Sequence, residues 1–264
     1  MSSKEVKYYG PWALVTGATS GIGKDFAQEL AKKGFSLVLV ARTKSKLEEL
    51  SRKYQTECGV ETYPISVDIS QANGLEELLK KTTDLNIGLV VHAAGFGSAG
   101  SFSDLDLANE LNMVDLNCRS TVQLSHGFCN RMRNRGKSGL VLFGSLVGFQ
   151  GSPWSATYSA TKAFVQSFAE ALYHEEKGYG IDVLSVAPGP VETGFGSRAA
   201  MQMGMAQSSE GIAKECLKAL GRQMTVRPGF LSKFLGYSLS TAPRPLRVTI
   251  MKGIMGGMVS GGKK

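Results

Sequence analysis

Two side chains near the middle of the chain have the types and the spacing to exchange a proton with a substrate. Tyr158 and Lys162 stand four residues apart in a stretch with a helical pattern. That spacing places them on one face of a helix, about 6 Å apart along its axis. An ammonium group beside a phenol favours the phenolate, so we expect the pKa of Tyr158 to lie about one to three units below its ordinary value. Such a tyrosine is suited to general acid–base catalysis.

A third polar group precedes this pair. The run from 141 to 145 is typical of an apolar strand that ends at Ser145, and a loop rich in Gly and Pro separates it from a helix beginning near Ala156. Ser145 could therefore hydrogen-bond the same substrate oxygen as Tyr158. A Tyr-x-x-x-Lys spacing also occurs on solvated helix faces, so the neighbouring segments must decide between the two interpretations.

A glycine-rich loop follows the first predicted strand, residues 12–16, and leads into a helical pattern that continues to Lys33. Glycines let the backbone approach a ligand, and a helix N-terminus offers free N–H groups to a phosphate. The spacing is G-x-x-x-G-x-G, and a tight turn without a ligand is the alternative. The residues predicted to bind a cofactor here are Gly17, Thr19, Ser20, Gly21, Ile22 and Gly23.

A basic sequence, Arg42-Thr43-Lys44, follows the second predicted strand, residues 35–40. In a dinucleotide fold this strand end faces the adenosine ribose, where an acid binds the 2′-hydroxyl and an arginine accommodates a 2′-phosphate. No acid stands at positions 41–43, and a guanidinium can bond two phosphate oxygens at once. Arg42, Thr43 and Lys44 therefore predict NADP(H), with a solvated basic turn as the alternative.

Strands and helices alternate along the chain. Further strands are predicted at 61–68, 86–94 and 181–187, with helices at 71–83 and within 104–133. This alternation predicts an α/β fold: one domain over residues 1–264, with a Rossmann-type, doubly wound parallel sheet of about seven strands and helices on both faces. Ligands in such sheets bind beyond the carboxyl ends of the strands. Six predicted strand ends point to one crevice, at Gly17, Arg42, Asp68, Gly95, Ser145 and Pro188.

Two polar residues in this pattern allow two interpretations each. Asp68, followed by Ile69, could contact an adenine or simply cap the next helix. Asn117 is an indifferent helix former, so it lies on the surface or holds a water or a backbone group near the active face. The small residues Ala94 and Gly95 leave room for a flat ring or a ribose.

Charge and composition narrow the class of protein. The net charge of +8 allows an anionic partner, but no nucleic-acid-binding motif accompanies it. The N-terminus lacks the apolar run of a signal peptide, and no apolar span is long enough to cross a membrane. The scattered cysteines predict reduced thiols in a cytoplasmic protein without a structural metal; they are Cys58, Cys118, Cys129 and Cys216.

Together these motifs resemble the short-chain dehydrogenase/reductase family, in its branch of about 250 residues, over roughly residues 10–200. The segment 16–23 is similar to the family's TGxxxGIG cofactor loop. Asn117, Ser145, Tyr158 and Lys162 match its catalytic tetrad in order and spacing. The segment 188–193 resembles the part that meets the nicotinamide, which implies contacts from Pro188, Gly189, Val191 and Thr193.

The resemblance implies a mechanism. Tyr158 would exchange a proton with the substrate oxygen while a hydride moves to or from the nicotinamide, and Ser145 would orient the carbonyl. Lys162 would lower the pKa of Tyr158 and bond the nicotinamide ribose, and Asn117 would support a water that links Lys162 to solvent. Family members usually pair through the helices that carry Asn117 and Tyr158, which implies a homodimer or a homotetramer.

One position departs from the family pattern: His92-Ala93-Ala94-Gly95 stands where the family usually has Asn-Asn-Ala-Gly or Asn-Ala-Gly. We interpret His92 as a structural histidine rather than a catalytic base.

The last part of the chain predicts two further regions. Residues 194–224 predict a substrate lid and a helix, in which Met201, Met203 and Met205 form an adaptable apolar surface; a loop without a substrate role is the alternative. Residues 230–264 predict a basic amphipathic tail, similar to that of ketoacyl reductases and hydroxysteroid dehydrogenases. Packing against a subunit or in the substrate pocket is favoured over core closure or contact with a membrane surface.

The function that follows is an NADP(H)-dependent oxidoreductase for an apolar ketone or secondary alcohol, such as a ketoacyl or steroid-like compound. An NAD-linked alcohol dehydrogenase working oxidatively is the first alternative. A non-catalytic NADP-binding regulator is the second, although such a protein has no chemical need for the Ser145, Tyr158 and Lys162 set. A basic membrane or nucleic-acid adaptor rests only on the charge and the tail.

Overall fold

The apolar runs of the sequence form buried strands, and the segments between them form helices, in a computed structural model that describes residues 8–199, 201 and 206–260. The strands are β1 (Trp12–Thr16), β2 (Ser36–Ala41), β3 (Thr62–Ser66), β4 (Ile87–His92), β5 (Ser138–Phe143), β6 (Ile181–Val186), β7 (Val191–Glu192), β8 (Gln207–Ser208) and β9 (Thr225–Val226). The helices are α1 (Gly21–Lys32), α2 (Lys44–Cys58), α3 (Ala72–Lys81), α4 (Leu107–Val114), α5 (Ser120–Met132), α6 (Ala156–Glu175), α7 (Phe195–Arg198), α8 (Ile212–Ala219), α9 (Phe230–Ser240) and α10 (Arg244–Ser260).

Successive residues of the central strands point to opposite faces of the sheet, as the period of two in a strand requires. Leu37 and Leu39 of β2 pack in one core with residues of α1, α2 and α8. Val38 and Val40 pack in a second core with residues of α3, α5 and α6. Each fully buried Leu or Val stabilises the fold by about 1.5–3 kcal/mol. Both faces of the sheet are therefore covered by helices.

The main sheet has seven strands in the order β3-β2-β1-β4-β5-β6-β9, and every pair in it is parallel. The predicted Rossmann-type, doubly wound sheet is confirmed. Pro64 sits in β3, an edge strand, where a missing N–H is tolerated. The strand order reverses between β1 and β4, and sheets of this kind bind ligands at that point.

Element boundaries differ from the prediction where the backbone leaves regular geometry. The fifth strand ends at Phe143 rather than at Ser145, which caps a 3-10 turn at Leu146–Phe149. Between α4 and α5 the helix widens into a π-helical turn at Asp115–Arg119, which carries Asn117. The short elements β7, β8 and α7 have too few residues to show a period. Of the predicted methionine surface, Met203 and Met205 lie outside the described residues.

The C-terminal region forms the helices α9 and α10, up to Ser260. In the part of the chain that the structure describes, no helix combines the length and the apolar character needed to cross a membrane.

Candidate active site

A single cleft of about 690 Å³ opens at the carboxyl ends of the strands. All of the predicted site residues except Lys44 and Asn117 line it. They are Gly17, Thr19, Ser20, Gly21, Ile22, Gly23, Arg42, Thr43, Asp68, Ile69, Ala94, Gly95, Ser145, Tyr158, Lys162, Pro188, Gly189, Val191 and Thr193.

The glycine loop between β1 and α1 forms one wall of the cleft. Gly17 has a φ of +65°, a conformation that favours glycine. A Cβ at Gly23 would lie 2.4 Å from the Gly17 carbonyl oxygen, so no larger residue fits there without moving the loop. The close approach brings the first turn of α1, with its exposed N–H groups, onto the cleft. This cradle fits a pyrophosphate group.

In the basic segment after β2, some side chains line the cleft and others face the solvent. Arg42 and Thr43 line the cleft, whereas the Lys44 ammonium lies 3.8 Å from the Glu48 carboxylate on the exposed side of α2. Lys44 is not among the residues that line the cleft, because its position on the first turn of α2 turns its side chain toward Glu48, and its role in cofactor binding stays a prediction. Lys46, which was not predicted, lines the cleft instead.

Asp68 stabilises a turn and also lines the cleft. Its Oδ1 accepts hydrogen bonds from the backbone N–H and the hydroxyl of Ser70, at 3.0 and 2.8 Å. The residue also lines the cleft. It therefore stabilises the turn before α3 while it faces the ligand space.

The catalytic candidates meet where the cleft passes β5 and α6. Tyr158 hydrogen-bonds the hydroxyl of Ser145, and its ring packs on Phe195 with the two centroids 5.3 Å apart. The buried Lys162 ammonium donates to the carbonyl oxygen of Phe143 at 2.8 Å and lies 5.7 Å from the centre of the Tyr158 ring. The hydroxyls of Ser145 and Tyr158 and the buried Lys162 ammonium therefore lie close together.

The electrostatics of this group differ from the prediction. Burial raises the pKa of Tyr158 to about 12, and the hydrogen bond from Ser145 opposes that shift only in part. Burial also lowers the pKa of Lys162 to about 8. The expectation of a Tyr158 pKa below its ordinary value is wrong here, because the loss of hydration disfavours the charged phenolate and raises the pKa. At neutral pH Tyr158 is a phenol, ready to donate a proton.

Asn117 does not line the cleft but holds the loop that does. Its Oδ1 accepts from the Phe96 N–H at 3.3 Å, and its Nδ2 donates to the Phe96 carbonyl oxygen at 2.9 Å. Nδ2 also donates to the Thr161 hydroxyl at 3.0 Å. Of the two interpretations of Asn117, the structure favours the one in which it holds a backbone group near the active face. The loop after β4 is thereby tied to α6, which carries Tyr158.

His92 lies at the end of β4 and bonds to elements on both sides. Its Nδ1 is 2.9 Å from the Thr16 hydroxyl, and its Nε2 is 3.1 Å from the Ser120 hydroxyl. Ser120 donates its proton to the Leu116 carbonyl oxygen, so it accepts from His92 Nε2–H. Thr16 then donates to Nδ1 while accepting from the Ala94 N–H. The histidine links β1, β4 and the start of α5, in agreement with its interpretation as structural.

We expect His92 to make the fold sensitive to acid. Burial, and to a smaller extent Lys162, lowers the pKa of His92 to about 3, below the value near ~6.5 of the unfolded chain. Between these values the unfolded state binds more protons than the folded state. The free energy of unfolding therefore decreases as the pH is lowered, by up to about 4–5 kcal/mol.

The His92→Gln variant tests this in urea titrations from pH 7 to pH 4. At pH 7 the variant should be less stable than the wild type by about 1–3 kcal/mol, because buried hydrogen bonds are lost. That difference should shrink as the pH falls. His126→Gln removes an exposed histidine and should follow the wild type at every pH. An unchanged difference for His92→Gln would contradict the linkage.

Apolar side chains form the other lobe of the cleft, and the helices after residue 229 supply six of them. Leu235 and Leu239 come from α9, and four residues come from α10. They are Met251, Ile254, Met255 and Met258. The sequence already held a signal for them, because these four positions recur at helical spacing. Met201, from the predicted lid, lines the same lobe.

Comparison with known proteins decides the family. Residues 11–203 match the family model described as short chain dehydrogenase. The chain is a member of the short-chain dehydrogenase family. As such it is an oxidoreductase that acts on CH–OH or C=O groups, as the resemblance implied.

Two curated relatives illustrate where this short-chain dehydrogenase stands. It is 31% identical over 229 residues to a 7beta-hydroxysteroid dehydrogenase of Clostridium sardiniense, covering 85% of this chain and 88% of the relative. It is 37% identical over 179 residues to a very-long-chain 3-oxoacyl-CoA reductase of Podospora anserina, covering 66% of this chain. The aligned part spans about half of that reductase (53%). The predicted similarity to ketoacyl reductases and hydroxysteroid dehydrogenases is confirmed.

Solved structures agree with the fold. A structure from work on 7beta-hydroxysteroid dehydrogenase stereoselectivity superposes with a TM-score of 0.86 at 26% identity, covering 93% of this chain and 98% of the other. A short-chain dehydrogenase from Sphingobium yanoikuyae in complex with NADPH superposes with a TM-score of 0.79, also at 26% identity, covering 88% and 94%.

Proposed function

We propose that this short-chain dehydrogenase uses NADP(H) to interconvert an apolar ketone and the corresponding secondary alcohol. The observation that carries the proposal is the position of Ser145 and Tyr158 between two unlike lobes of one cleft. One lobe is a glycine-walled, basic cradle, and the other is lined by methionine, leucine and aromatic side chains. A nucleotide fits the first lobe and an apolar carbonyl compound fits the second.

The residues of the basic lobe fit NADP(H). The wall at Gly17 and Gly23 fits the pyrophosphate, and Arg42, Thr43 and Lys46 offer two cations and a hydroxyl for a 2′-phosphate. The NADPH complex of the Sphingobium relative supports the same choice. When bound, the cofactor supplies or accepts the hydride.

The chain's own groups handle the proton and the orientation. Ser145 places its hydroxyl beside that of Tyr158, so both can bond one substrate oxygen. The raised pKa of Tyr158 keeps it protonated at neutral pH, which suits donation to a developing alkoxide and therefore the reductive direction. The buried Lys162 ammonium stabilises negative charge as the phenolate forms. Asn117 holds the Phe96 backbone in place through two hydrogen bonds.

The apolar lobe supports a large substrate. Methionine side chains adapt to irregular apolar shapes, and charged side chains are few on this lobe, with Arg198 among the lining residues. Relatives with the words 7beta-hydroxysteroid, very-long-chain 3-oxoacyl-CoA and bulky-bulky ketone in their names support the same size class.

A panel of ketones tests the substrate class. With NADPH we expect kcat/KM to rise by at least about tenfold from acetone to a steroid ketone or a long-chain 3-oxoacyl thioester, because each additional buried CH2 group contributes about 0.8 kcal/mol. Initial rates of NADPH oxidation measure this. Met251→Gln, which places an amide in the apolar lobe, should lower kcat/KM for the large ketones and leave NADPH affinity unchanged. Equal rates for small and large ketones would contradict the proposal.

We also propose a homodimer or homotetramer that pairs through α4 and the helices beside it. Leu107, Leu111 and Val114 recur on one side of α4 and are exposed in the monomer, and covering such a stripe is favourable.

The four unpaired cysteines support a reducing, cytoplasmic setting.

A further inference from the structure

The outer side of α9 carries large apolar side chains that are mostly exposed. Phe230, Phe234 and Tyr237 are 83%, 58% and 63% exposed. They recur at i, i+4 and i+7, which places them on one side of the helix. The Phe230 and Phe234 rings stack with their centroids 6.3 Å apart. Leu235 and Leu239 of the same helix line the cleft instead, so α9 is apolar on two sides.

The next helix repeats this arrangement. Leu246, Ile250 and Ile254 of α10 are exposed and recur every four residues. Met251 and Met255 of the same helix are buried in the apolar core beneath it. A helix that covers the cleft needs only one apolar side, so the exposed stripes on α9 and α10 are not explained by closing the cleft.

The charge of this region is as unusual as its exposed apolar residues. From Cys216 to Lys264 the chain has nine Lys and Arg residues and no Asp or Glu. The whole chain carries +8, so all of its excess positive charge lies in this last segment. Among its described cations, only Lys233 pairs with a carboxylate, that of Glu215. Arg244 and Lys252 of α10 are also exposed.

We propose that α9 and α10 dock this protein on the surface of an anionic membrane. Exposed aromatic and aliphatic side chains enter the boundary between headgroups and acyl chains, and Lys and Arg side chains attract the anionic headgroups. The helices lie on the bilayer without crossing it. If the proposed function holds, docking brings the apolar lobe, through Ile254 at its edge, next to the phase in which an apolar ketone dissolves.

Charge complementarity selects the bilayer over a second copy of this surface. Two copies meeting face to face would bring two strongly basic segments together, and like charges at an interface are unfavourable. An anionic bilayer instead offers negative charge and an apolar layer in the same place, which matches the cations and the exposed apolar side chains of α9 and α10.

Vesicle flotation of the full chain tests the proposal and needs no substrate. We expect the wild type to float with vesicles of phosphatidylcholine containing about 30% phosphatidylserine, and not with phosphatidylcholine alone. About 0.5 M salt should weaken the binding. Phe230→Gln/Phe234→Gln and Arg244→Gln/Lys252→Gln should each reduce the vesicle partition coefficient roughly tenfold or more.

Matched controls separate this surface from general effects. Phe102→Gln removes an equally exposed ring elsewhere, and Arg52→Gln/Lys53→Gln removes two exposed cations from α2; both should float like the wild type. NADPH oxidation without vesicles should be unchanged in every variant, so a failure of the proposed function shows separately. A wild type that does not float, or variants that float equally, would overturn the proposal. So would self-association abolished by Phe230→Gln/Phe234→Gln without flotation, which would assign the surface to a second copy.

Discussion

The Tyr158→Phe variant should lose turnover by about 10²–10⁴-fold while its affinity for NADPH stays within about twofold of the wild type. The substitution removes one hydroxyl, and that hydroxyl is the proton donor of the proposed reaction. The ring remains, so its packing on Phe195 is retained. The loss should therefore be in kcat, measured by NADPH oxidation, and not in the dissociation constant, measured by NADPH fluorescence.

A second tyrosine provides the control. Tyr63 lies on the edge strand β3, outside the cleft, so Tyr63→Phe makes the same chemical change and should retain full activity. Thermal unfolding of both variants checks that they fold. Substantial turnover by a folded Tyr158→Phe protein would show that another group carries the proton and would remove Tyr158 from the mechanism.

The Arg42→Asp variant should bind NADPH about 10²-fold more weakly and bind NADH more tightly than the wild type. A hydrogen bond to a charged group contributes about 1.5–3 kcal/mol, and the new carboxylate repels a 2′-phosphate while it can accept from ribose hydroxyls. Titrations of the two nucleotides with the wild type and the variant measure the ratio of affinities.

The neighbouring cation distinguishes a local contact from a change in overall charge. Lys44→Asp makes the same change in net charge two residues away, but the Lys44 side chain points to Glu48 rather than into the cleft. We expect it to leave the ratio of NADPH to NADH affinity nearly unchanged. Equal effects of the two variants, or an unchanged ratio for Arg42→Asp, would show that Arg42 does not bind the 2′-phosphate.

The fold was predictable because its signals are local. Apolar runs that end in glycine or small residues marked β1 and β4, and a parallel sheet brings such ends to one edge whatever the intervening segments do. Nearly all of the proposed cofactor residues lie together for that reason. Lys44 shows the limit: a run of basic residues does not say which side chain turns toward the cleft when a helix begins within it.

The electrostatics of the site could not be read from spacing. The interval from Tyr158 to Lys162 predicts proximity, but the pKa values depend on how much protein surrounds both groups. Burial dominates here, and Lys162 bonds the Phe143 carbonyl oxygen. The contacts of Asn117 depend on a π-helical turn, and no pattern of residue types in the sequence predicted that turn.

The apolar lobe of the cleft could be predicted only in part. The spacing of Met251, Met255 and Met258 indicated a helix with an apolar side, but it did not say what that side covers. Only the packed structure shows that the side facing inward lines the cleft while an adjoining apolar side of α10 stays exposed.

The measurement that tests the central claim most directly is turnover by the purified protein with NADPH and with NADH on the same large apolar ketone. We predict steady oxidation of NADPH, a kcat/KM for NADPH at least about tenfold above that for NADH, and loss of both activities in Tyr158→Phe. Tight NADPH binding without turnover on any carbonyl compound would indicate a regulator. Failure to bind either nucleotide would contradict the account as a whole.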